Sequence, residues 1–417
     1  MRLVFVNRFF FPDHSATSQI LTDLCFALAA RGHEVHVVTS RLRYDDPSAS
    51  LAGEESASGV RVHRVWTSRF GRGALAGRAI DYLTFYLSAL WRLVRLADRS
   101  TILVAKTDPP MISVVVALAA RATGARLVNW TQDLFPETAV ALGMRVMRPA
   151  LARSLAALRD WSFARAALNV AIGARMREKM LGRGLADSNV AVIHNWADGE
   201  AIVSQPGVGG GTGARHDDVE ADPLRREWGL EGKFVVGYSG NLGRVHEFAT
   251  VLDAAGQLAD REDVVFLFIG GGHQLGTLKG EAGRRGLTNL QFRPYQPRER
   301  LAQSLGACDA HLVTLRPELE GLVLPSKFYG IIAAGRPVLF VGAADGEIAR
   351  LVDEGQCGQA LQVGDAQALA QCIRNLADEP ARARQWGENG RRLFDARFAM
   401  RIAVDRWEQI LAGVAQG

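Results

Sequence analysis

Apolar and polar stretches alternate along the chain in the order expected of strands that are each followed by a helix. Leu3–Val6 is a short continuous apolar run, which is typical of a parallel strand buried on both faces. The segment Ala16–Ala30 has the spacing of a helix, and Gly32 marks its end. Further strands are predicted at Glu34–Val38, Val60–Trp66, Ile102–Lys106, Arg126–Trp130, Leu168–Val170 and Val190–His194. Repeated βα units of this kind predict a doubly wound parallel sheet.

The pattern breaks near residue 203 and then starts again. The stretch from Val203 to Asp222 is rich in glycine and acidic residues, so 201–223 is predicted to be a linker. Beyond it, strands are predicted at Phe234–Ser239, Val264–Ile269, Ala310–Leu315 and Val338–Val341. We therefore predict an α/β fold of two Rossmann-like doubly wound parallel-sheet domains facing a cleft, 1–200 and 224–399. A terminal helix over about 400–417 is predicted to pack back on the first domain.

Composition narrows the class of protein. A chain of 417 residues, 48% hydrophobic and 22% charged, is ordinary for a globular protein of two domains. A net charge of +5 is too small to indicate nucleic acid as a partner. The four cysteines are widely separated, which predicts reduced thiols and no metal site. No apolar run approaches the roughly 20 residues of a membrane span, so we expect a cytoplasmic protein.

Candidate chemistry in the second domain lies where predicted strands end. Gly240, Asn241, Gly243 and Arg244 directly follow the strand Phe234–Ser239 and precede a helix. Glycines at such a turn let backbone N–H groups approach a phosphate, and an arginine adds bidentate donors. A tight βα turn without a ligand would also explain the glycines.

Two more segments of this domain carry residues of the same chemistry. Gly270–Gly272 is a second glycine-rich turn after a predicted strand, and Gln291–Tyr295 is a short strand entering a turn. Glu320 and Lys327 flank the start of an apolar helix, where a carboxylate can bind sugar or ribose hydroxyls and a lysine can bind phosphate. Solvated surface is the alternative interpretation for both residues.

Together these motifs resemble the retaining, nucleotide-sugar-dependent glycosyltransferases of family 4, which have the GT-B fold, over nearly the whole chain. In particular the chain resembles bacterial members that build O-antigen, capsule and exopolysaccharide repeat units, such as N-acetylfucosamine transferases. The resemblance implies that the Gly240–Arg244 turn, Ser326 and Lys327 hold the donor diphosphate and that backbone near Arg293 reads the base. It also implies retention of anomeric configuration. We expect no metal, because the obvious acidic cluster of Asp217, Asp218, Glu220 and Asp222 lies in the predicted linker and not at a strand end, and no cofactor other than the nucleotide sugar.

One feature departs from the family pattern. Many relatives carry two glutamates seven residues apart, of which the second binds the ribose. Here Gly330 stands at the position expected for that second glutamate, and counting from Glu320 gives Phe328. The resemblance therefore leaves the ribose-binding residue unassigned.

The first domain is predicted to bind the acceptor. Its opening loop contains His14, a candidate contact of the transferred sugar, and Ser15, which is small enough for close approach. Asp133 and Glu137 follow a predicted strand, in a stretch that resembles the cleft wall of the family. We predict that Asp133 positions the acceptor hydroxyl or acts as base, that Glu320 orients sugar hydroxyls, and that Glu137 lies beside the acceptor. A solvated loop is the alternative for each.

Two amphipathic stretches indicate peripheral contact with an anionic membrane. One helical face is formed by Tyr82, Phe85, Tyr86, Ala89 and Leu93, with Arg78, Arg92 and Arg95 beside it. In the other stretch, arginines interleave with apolar residues, namely Arg145, Arg148, Arg153, Arg159 and Arg165 with Met144, Met147, Leu151, Leu155, Leu158 and Trp161. Basic amphipathic surface suits an anionic bilayer, although helices covering a sheet would show the same pattern.

The sequence thus favours a retaining transferase that moves a sugar from a nucleotide diphosphate to a glycan acceptor linked to polyprenyl diphosphate. The expected donor is a UDP-sugar. The expected setting is surface-polysaccharide biosynthesis. A sugar-nucleotide 2-epimerase of the same fold is an alternative enzyme, and a non-catalytic nucleotide-sugar-binding protein is an alternative of another class.

Overall fold

A computed structural model describes residues 1–13, 15–44, 46, 50–71, 75–203 and 223–417. The chain forms two compact units. Unit 1 comprises Met1–Asn195, Gly321–Val323 and Arg401–Gly417, and unit 2 comprises Trp196–Glu320 and Leu324–Met400. Most of the predicted linker 201–223 lies outside the described residues.

Unit 1 is built on an eight-stranded sheet. Its strands are β1 (Arg2–Val6), β2 (Glu34–Ser40), β3 (Glu54–Ala57), β4 (Val60–Val65), β5 (Thr101–Lys106), β6 (Arg126–Thr131), β7 (Leu168–Ala171) and β8 (Val190–Val192). Their order in the sheet is β3-β4-β2-β1-β5-β6-β7-β8, and the pairs are parallel except β3 with β4. Because the order reverses beside β1, the loops after β1, β5 and β6 surround a switch point of the kind where α/β sheets bind ligands.

Unit 2 contains a six-stranded parallel sheet. Its strands are β9 (Phe234–Ser239), β10 (Val264–Ile269), β11 (Leu290–Arg293), β12 (Ala310–Thr314), β13 (Val338–Gly342) and β14 (Gly358–Gln362). The order is β11-β10-β9-β12-β13-β14. The loops after β9 and β12 again lie at the point of reversal, so this end of the sheet is the expected ligand side.

Helices connect the strands in both units. In chain order they are α1 (Ala16–Ala30), α2 (Leu75–Leu96), α3 (Ile112–Thr123), α4 (Glu137–Ala141), α5 (Pro149–Arg165), α6 (Ala174–Leu181), α7 (Gly199–Val203), α8 (Pro223–Trp228), α9 (Ala249–Gln257), α10 (Leu275–Arg284), α11 (Leu301–Gly306), α12 (Lys327–Ala333), α13 (Glu347–Gly355), α14 (Ala366–Asp378), α15 (Pro380–Arg397) and α16 (Met400–Gln416). No helix within the described ranges is long and apolar enough to cross a membrane.

The core of unit 1 lies between the sheet and the helices on its two faces. On one face, Phe85, Ala89 and Leu93 of α2 are fully buried against strand residues such as Leu103. The sequence analysis assigned these α2 residues to a membrane-facing surface, and that assignment is wrong, since they form the core. An amphipathic pattern shows that a helix has an apolar face but does not show what that face contacts.

Helix α16 packs on unit 1, far along the chain from the strands it covers. Trp407 is buried against Trp130 of β6, with ring centroids 4.7 Å apart. Arg31, just after α1, pairs with Asp405 and Glu408 at 2.5 and 2.7 Å. The chain thus returns from unit 2 to complete the core of unit 1.

Candidate functional site

The two glycine turns of unit 2 are packed backbone against backbone. Gly240 and Gly270 have φ of +126° and +136°, a region that disfavours side chains. The Gly240 N–H donates to the Ile269 carbonyl at 2.9 Å, and the Leu242 N–H donates to the Gly271 carbonyl at 2.8 Å. A Cβ on Gly270 would lie 2.2 Å from the Gly240 carbonyl oxygen. Glycines at two neighbouring strand ends therefore leave backbone close to any bound group.

This packing gives a sharp test of the turn. We expect Gly270→Ala to displace the Gly240 turn and to lower both the melting temperature and the affinity for nucleotide diphosphate, because neither the clash nor the positive φ can be relieved locally. Gly276→Ala in α10 is the matched control, since no atom lies within 4 Å of its added Cβ and alanine favours helices. Thermal unfolding with and without UDP measures both effects. Normal UDP affinity in Gly270→Ala would contradict the role given to the turn.

Lys327 points its ammonium group at the first turn. It is the first residue of α12, after the N-cap Ser326, and its Nζ lies 4.0 Å from the Cβ position of Gly240. Nζ is buried 3.5 Å from the ring centroid of Tyr238 and has no hydrogen-bond partner among the described residues. Burial holds the pKa of Lys327 well below its usual range. An uncompensated buried cation is costly, so this arrangement favours an anion at the turn.

His246, which lies near Lys327, adds no second buried charge. His246 Nδ1 lies 2.7 Å from the Thr314 carbonyl oxygen, which it reaches as a donor. Burial, together with the nearby Lys327, lowers the pKa of His246 to about 3, so the imidazole is neutral at physiological pH. Of these two buried side chains, Lys327 is therefore the one that can carry a positive charge.

The other predicted donor-site residues of the turn are exposed or structural. Asn241 and Arg244 are exposed, and Arg244 forms no ion pair with the described residues. The carbonyl of Gly243 accepts from Gln274 Nε2 at 2.6 Å, which fixes the end of the turn. Arg244 thus remains available to a ligand.

Arg293 ends β11 and acts partly through its backbone. Its carbonyl accepts from the Gly270 N–H at 2.9 Å, so its main chain adjoins the second glycine turn. Its guanidinium donates to the Trp228 carbonyl at 3.2 Å and to Gln291 Oε1 at 3.0 Å. The side chain therefore holds α8 against β11.

Glu320 has a structural contact that sequence reasoning did not anticipate. Its Oε1 accepts from the Glu347 N–H at 2.8 Å, at the first residue of α13. A Cβ on Gly346 would lie 2.6 Å from its Oε2, so the glycine makes room for the carboxylate. Glu320 thus caps a helix N-terminus, where a negative charge is stabilising.

In unit 1, Asp133 lies at the carboxyl end of β6. The preceding Gln132 donates its N–H to Thr107 Oγ1 at 2.8 Å, which joins the loop after β6 to the loop after β5. Asp133 keeps access to solvent, yet the protein groups crowded around it desolvate its carboxyl group. This desolvation, with the charge of Asp108, raises the pKa of Asp133 to about 6. A carboxylate tuned toward neutral pH at a strand end is a candidate base.

The loop before α1 is organised by Asp13, which sequence reasoning did not single out. Asp13 is buried, and its carboxylate accepts from the N–H groups of Ser15 and Tyr44 at 2.9 and 2.5 Å. Ser15 is the N-cap of α1, which places it at the predicted strand-to-helix position. His14 lies outside the described residues. The spacing Asp-His-Ser is an Asx-turn signal that identifies such a carboxylate.

Glu137 is held by Arg159 rather than presented freely. The guanidinium donates to both carboxylate oxygens, at 2.6 and 2.8 Å. Burial alone would raise the pKa of Glu137, but the hydrogen-bonded Arg159 outweighs it, and the pKa is lowered. Arg159 has only 4% of its side-chain surface exposed, so its assignment to a membrane-facing surface is wrong.

Lys106 is a second buried lysine, at the end of β5. Its Nζ lies 3.7 Å from the ring centroid of Trp130 and has no hydrogen-bond partner among the described residues. Burial lowers its pKa to about 7. The signal that could have identified it is scarcity, since the chain has only five lysines, Lys106, Lys179, Lys233, Lys279 and Lys327.

Within the described residues, no group of three or more His, Cys, Asp or Glu side chains could hold a metal ion. The free cysteines Cys25, Cys308, Cys357 and Cys372 are all buried.

Comparison with known families decides the class of protein. Residues 16–196 match the family described as "Glycosyl transferase 4-like domain", and residues 220–393 match "Glycosyl transferases group 1". The chain is a group 1 glycosyltransferase. Its enzyme class, predicted from the sequence, is thereby confirmed.

Individual relatives of the glycosyltransferase are distant. The probable glycosyltransferase WbjE of Pseudomonas aeruginosa is 29% identical over 287 residues, which are 69% of this chain and 68% of the relative. The putative colanic acid biosynthesis glycosyl transferase WcaI of Escherichia coli (strain K12) is 28% identical over 389 residues, 86% of this chain and 89% of the relative.

A solved structure of similar fold is Anabaena HepE in complex with UDP and glucose. It shares 18% sequence identity at a TM-score of 0.72, over 99% of this chain and 100% of that chain. This likeness confirms the predicted α/β fold of two Rossmann-like domains, which is the GT-B fold.

Proposed function

We propose that the protein transfers a sugar from a nucleotide diphosphate donor to a glycan acceptor linked to polyprenyl diphosphate. The proposed donor is a UDP-sugar. The proposed setting is surface-polysaccharide biosynthesis. The observation that carries this proposal is the buried side-chain nitrogen of Lys327, which has no hydrogen-bond partner among the described residues and lies beside the glycine turn at Gly240. The HepE complex with UDP and glucose supports the donor class, and the colanic acid relative WcaI supports the setting.

The donor diphosphate is proposed to lie at the Gly240–Arg244 turn. A nucleotide diphosphate brings about two to three negative charges, and the buried Lys327 and exposed Arg244 supply opposite charge. The Ser326 hydroxyl and the backbone N–H groups of the turn complete the proposed anion site, apart from those of Gly240 and Leu242, which bond to the Ile269 and Gly271 carbonyls. The same groups would stabilise the charge that develops on the leaving diphosphate.

The proposed reaction retains the anomeric configuration. The bond between the anomeric carbon and the diphosphate oxygen breaks as the acceptor oxygen bonds to the same face of that carbon. The acceptor proton passes to the leaving phosphate or to Asp133, which also positions the acceptor hydroxyl. Glu320, which already caps α13, orients sugar hydroxyls and does not act as nucleophile. We further propose that transfer needs no metal, because Lys327 and Arg244 supply the charge at the diphosphate, so activity should survive EDTA.

A two-stage experiment tests this function. A thermal-shift screen across UDP-, GDP- and dTDP-sugars should identify a stabilising donor, and stabilisation is expected to be largest with a UDP-sugar. Incubation of that donor with a labelled polyprenyl-diphosphate glycan, with EDTA present, should then release UDP and lengthen the glycan with retained configuration.

The other outcomes are equally specific. A donor converted to its 2-epimer without transfer would indicate an epimerase, and binding without turnover would indicate a sensor. A glycosyl adduct on Glu320 or Asp133, or strict metal dependence, would overturn the proposed chemistry.

A further inference from the structure

Helix α2 has a second apolar face, opposite the one that packs on the sheet. Ile80, Leu83, Leu87, Trp91 and Val94 lie on one side of the helix and are each at least 43% exposed. We call this set the α2 stripe. It extends about 20 Å along the helix, given the rise of about 1.5 Å per residue. Isolated exposed apolar residues are common in soluble proteins, but five aligned on one helix form a continuous strip that marks an interaction surface.

The neighbouring helices extend this apolar surface. Helix α3 packs against both α2 and α5, so the three form one layer over the sheet. Leu118 of α3 and Leu151 and Leu158 of α5 are 45%, 43% and 45% exposed. The outer face of α2, α3 and α5 therefore carries large apolar side chains on each of its helices.

Among the described residues, the exposed charged side chains of these three helices are arginines, so their charge is positive. Arg95, Arg121, Arg153 and Arg165 are exposed, and none forms an ion pair with the described residues. The carboxylates of the same helices are engaged elsewhere. Asp81 is buried and accepts from Ser68 and Phe70, and Asp160 pairs with Arg159 and Arg183. The outer face thus combines apolar and cationic groups.

A tryptophan–arginine pair on this face has the geometry of an interfacial anchor. The Arg95 guanidinium lies 4.0 Å from the ring centroid of Trp91, which is 56% exposed. Such pairs place an apolar ring beside a cation that can stay in water or bind phosphate. This chemistry matches the headgroup region of a bilayer.

We propose that the outer face of α2, α3 and α5 docks on the anionic surface of a lipid bilayer, with the α2 stripe inserted at the boundary between headgroups and acyl chains. A second copy of the chain is a poorer occupant, because a twofold contact through this face would oppose arginine to arginine. The inference deepens the proposed function, since an acceptor linked to polyprenyl diphosphate is reached only at a membrane.

Vesicle co-sedimentation of the full chain tests the proposal. The unmodified protein should bind vesicles of phosphatidylcholine with phosphatidylglycerol, bind pure phosphatidylcholine much less, and be released by salt. The double variant Leu87→Ser, Trp91→Ser should lose about tenfold or more of its vesicle affinity, whereas Leu301→Ser, Val363→Ser, exposed apolar positions of unit 2, should lose none. A triple variant with Arg95→Ser, Arg121→Ser and Arg153→Ser should lose the preference for phosphatidylglycerol. Arg384→Ser is its control and should keep that preference.

The thermal shift produced by UDP should be the same in all these variants, which separates the docking surface from the donor site. Absence of binding by the unmodified protein to phosphatidylglycerol vesicles at low salt would overturn the proposal. Unchanged vesicle affinity of Leu87→Ser, Trp91→Ser would also overturn it, as would sedimentation velocity showing a dimer that this variant abolishes. A negative result with normal UDP binding and transfer to a soluble acceptor would leave the proposed function standing.

Discussion

Replacing Lys327 by Met is expected to weaken UDP binding by about 10- to 100-fold while raising the melting temperature of the unliganded protein. The loss of affinity follows from removing a charge-assisted bond to the diphosphate, worth roughly 1.5–3 kcal/mol. The gain in stability follows from replacing a buried, unpartnered ammonium group by an apolar side chain of similar length. Opposite signs for binding and stability distinguish a ligand-binding lysine from a structural one.

The stability gain should depend on pH with a defined sign. Burial lowers the folded-state pKa of Lys327, so the unfolded chain holds a proton that the folded chain releases. The resulting penalty is present at neutral pH and disappears as the pH rises toward about 10, the unfolded value. The difference in melting temperature between Lys327→Met and the unmodified protein should therefore shrink as the pH rises.

Lys279→Met is the matched control, because Lys279 belongs to the same unit and is exposed. It should change neither UDP affinity nor melting temperature by much. Thermal unfolding and calorimetric titration with UDP measure both properties. A Lys327→Met protein that binds UDP normally would remove Lys327 from the donor site.

Asp133→Asn is expected to lower turnover by about 10²- to 10⁴-fold and to leave UDP affinity unchanged, which is the range for loss of a positioned acid or base. The unmodified enzyme should lose activity as the pH falls below about 6, because the pKa of Asp133 is raised to about 6 and a base must be ionised. This acidic limb should be absent from the residual activity of Asp133→Asn. Steady-state kinetics across the pH range measures both effects.

Glu137→Gln is the control for damage to the same loop. Its carboxylate stabilises the fold through Arg159, so the variant should lose about 1.5–3 kcal/mol of stability and keep most of its turnover. Since the folded-state pKa of Glu137 is lowered, this contribution is present above about pH 4.3 and is lost as the pH falls through the folded value. If Asp133→Asn kept full turnover, or if Glu137→Gln lost it without unfolding, the roles assigned to the two carboxylates would be wrong.

The sequence predicts the fold best where burial is complete. β1 and β9 read as continuous apolar runs because both faces of each strand are covered. Glu54–Ala57 and Gly358–Gln362 were missed because β3 and β14 are edge strands with polar residues, so they carry little hydrophobic signal. Periodicity also could not tell the two apolar faces of α2 apart, because both recur at helical spacing and only the packing shows which one is buried.

The candidate site, like the fold, can be predicted from the sequence only in part. Local patterns predict the glycine turns after β9 and β10, because tight strand-to-helix connections have a compositional signature. Contacts between distant residues have no such signature. The bond from Glu347 to Glu320 spans 27 residues, and Lys327 of α12 is buried against Tyr238 of β9. Tertiary packing therefore decides whether a charged residue is solvated or is buried where a ligand could bind it.

The most direct test of the central claim is calorimetric titration of UDP into the protein at about pH 8.5, in two buffers of different ionisation enthalpy. Burial holds the pKa of Lys327 well below that of a free lysine, and a bound anion favours its protonated form. The account predicts net uptake of a proton when UDP binds the unmodified protein. In Lys327→Met this uptake should be lost, and UDP should bind about 10- to 100-fold more weakly. UDP binding of equal affinity and equal proton exchange in the two proteins would contradict it.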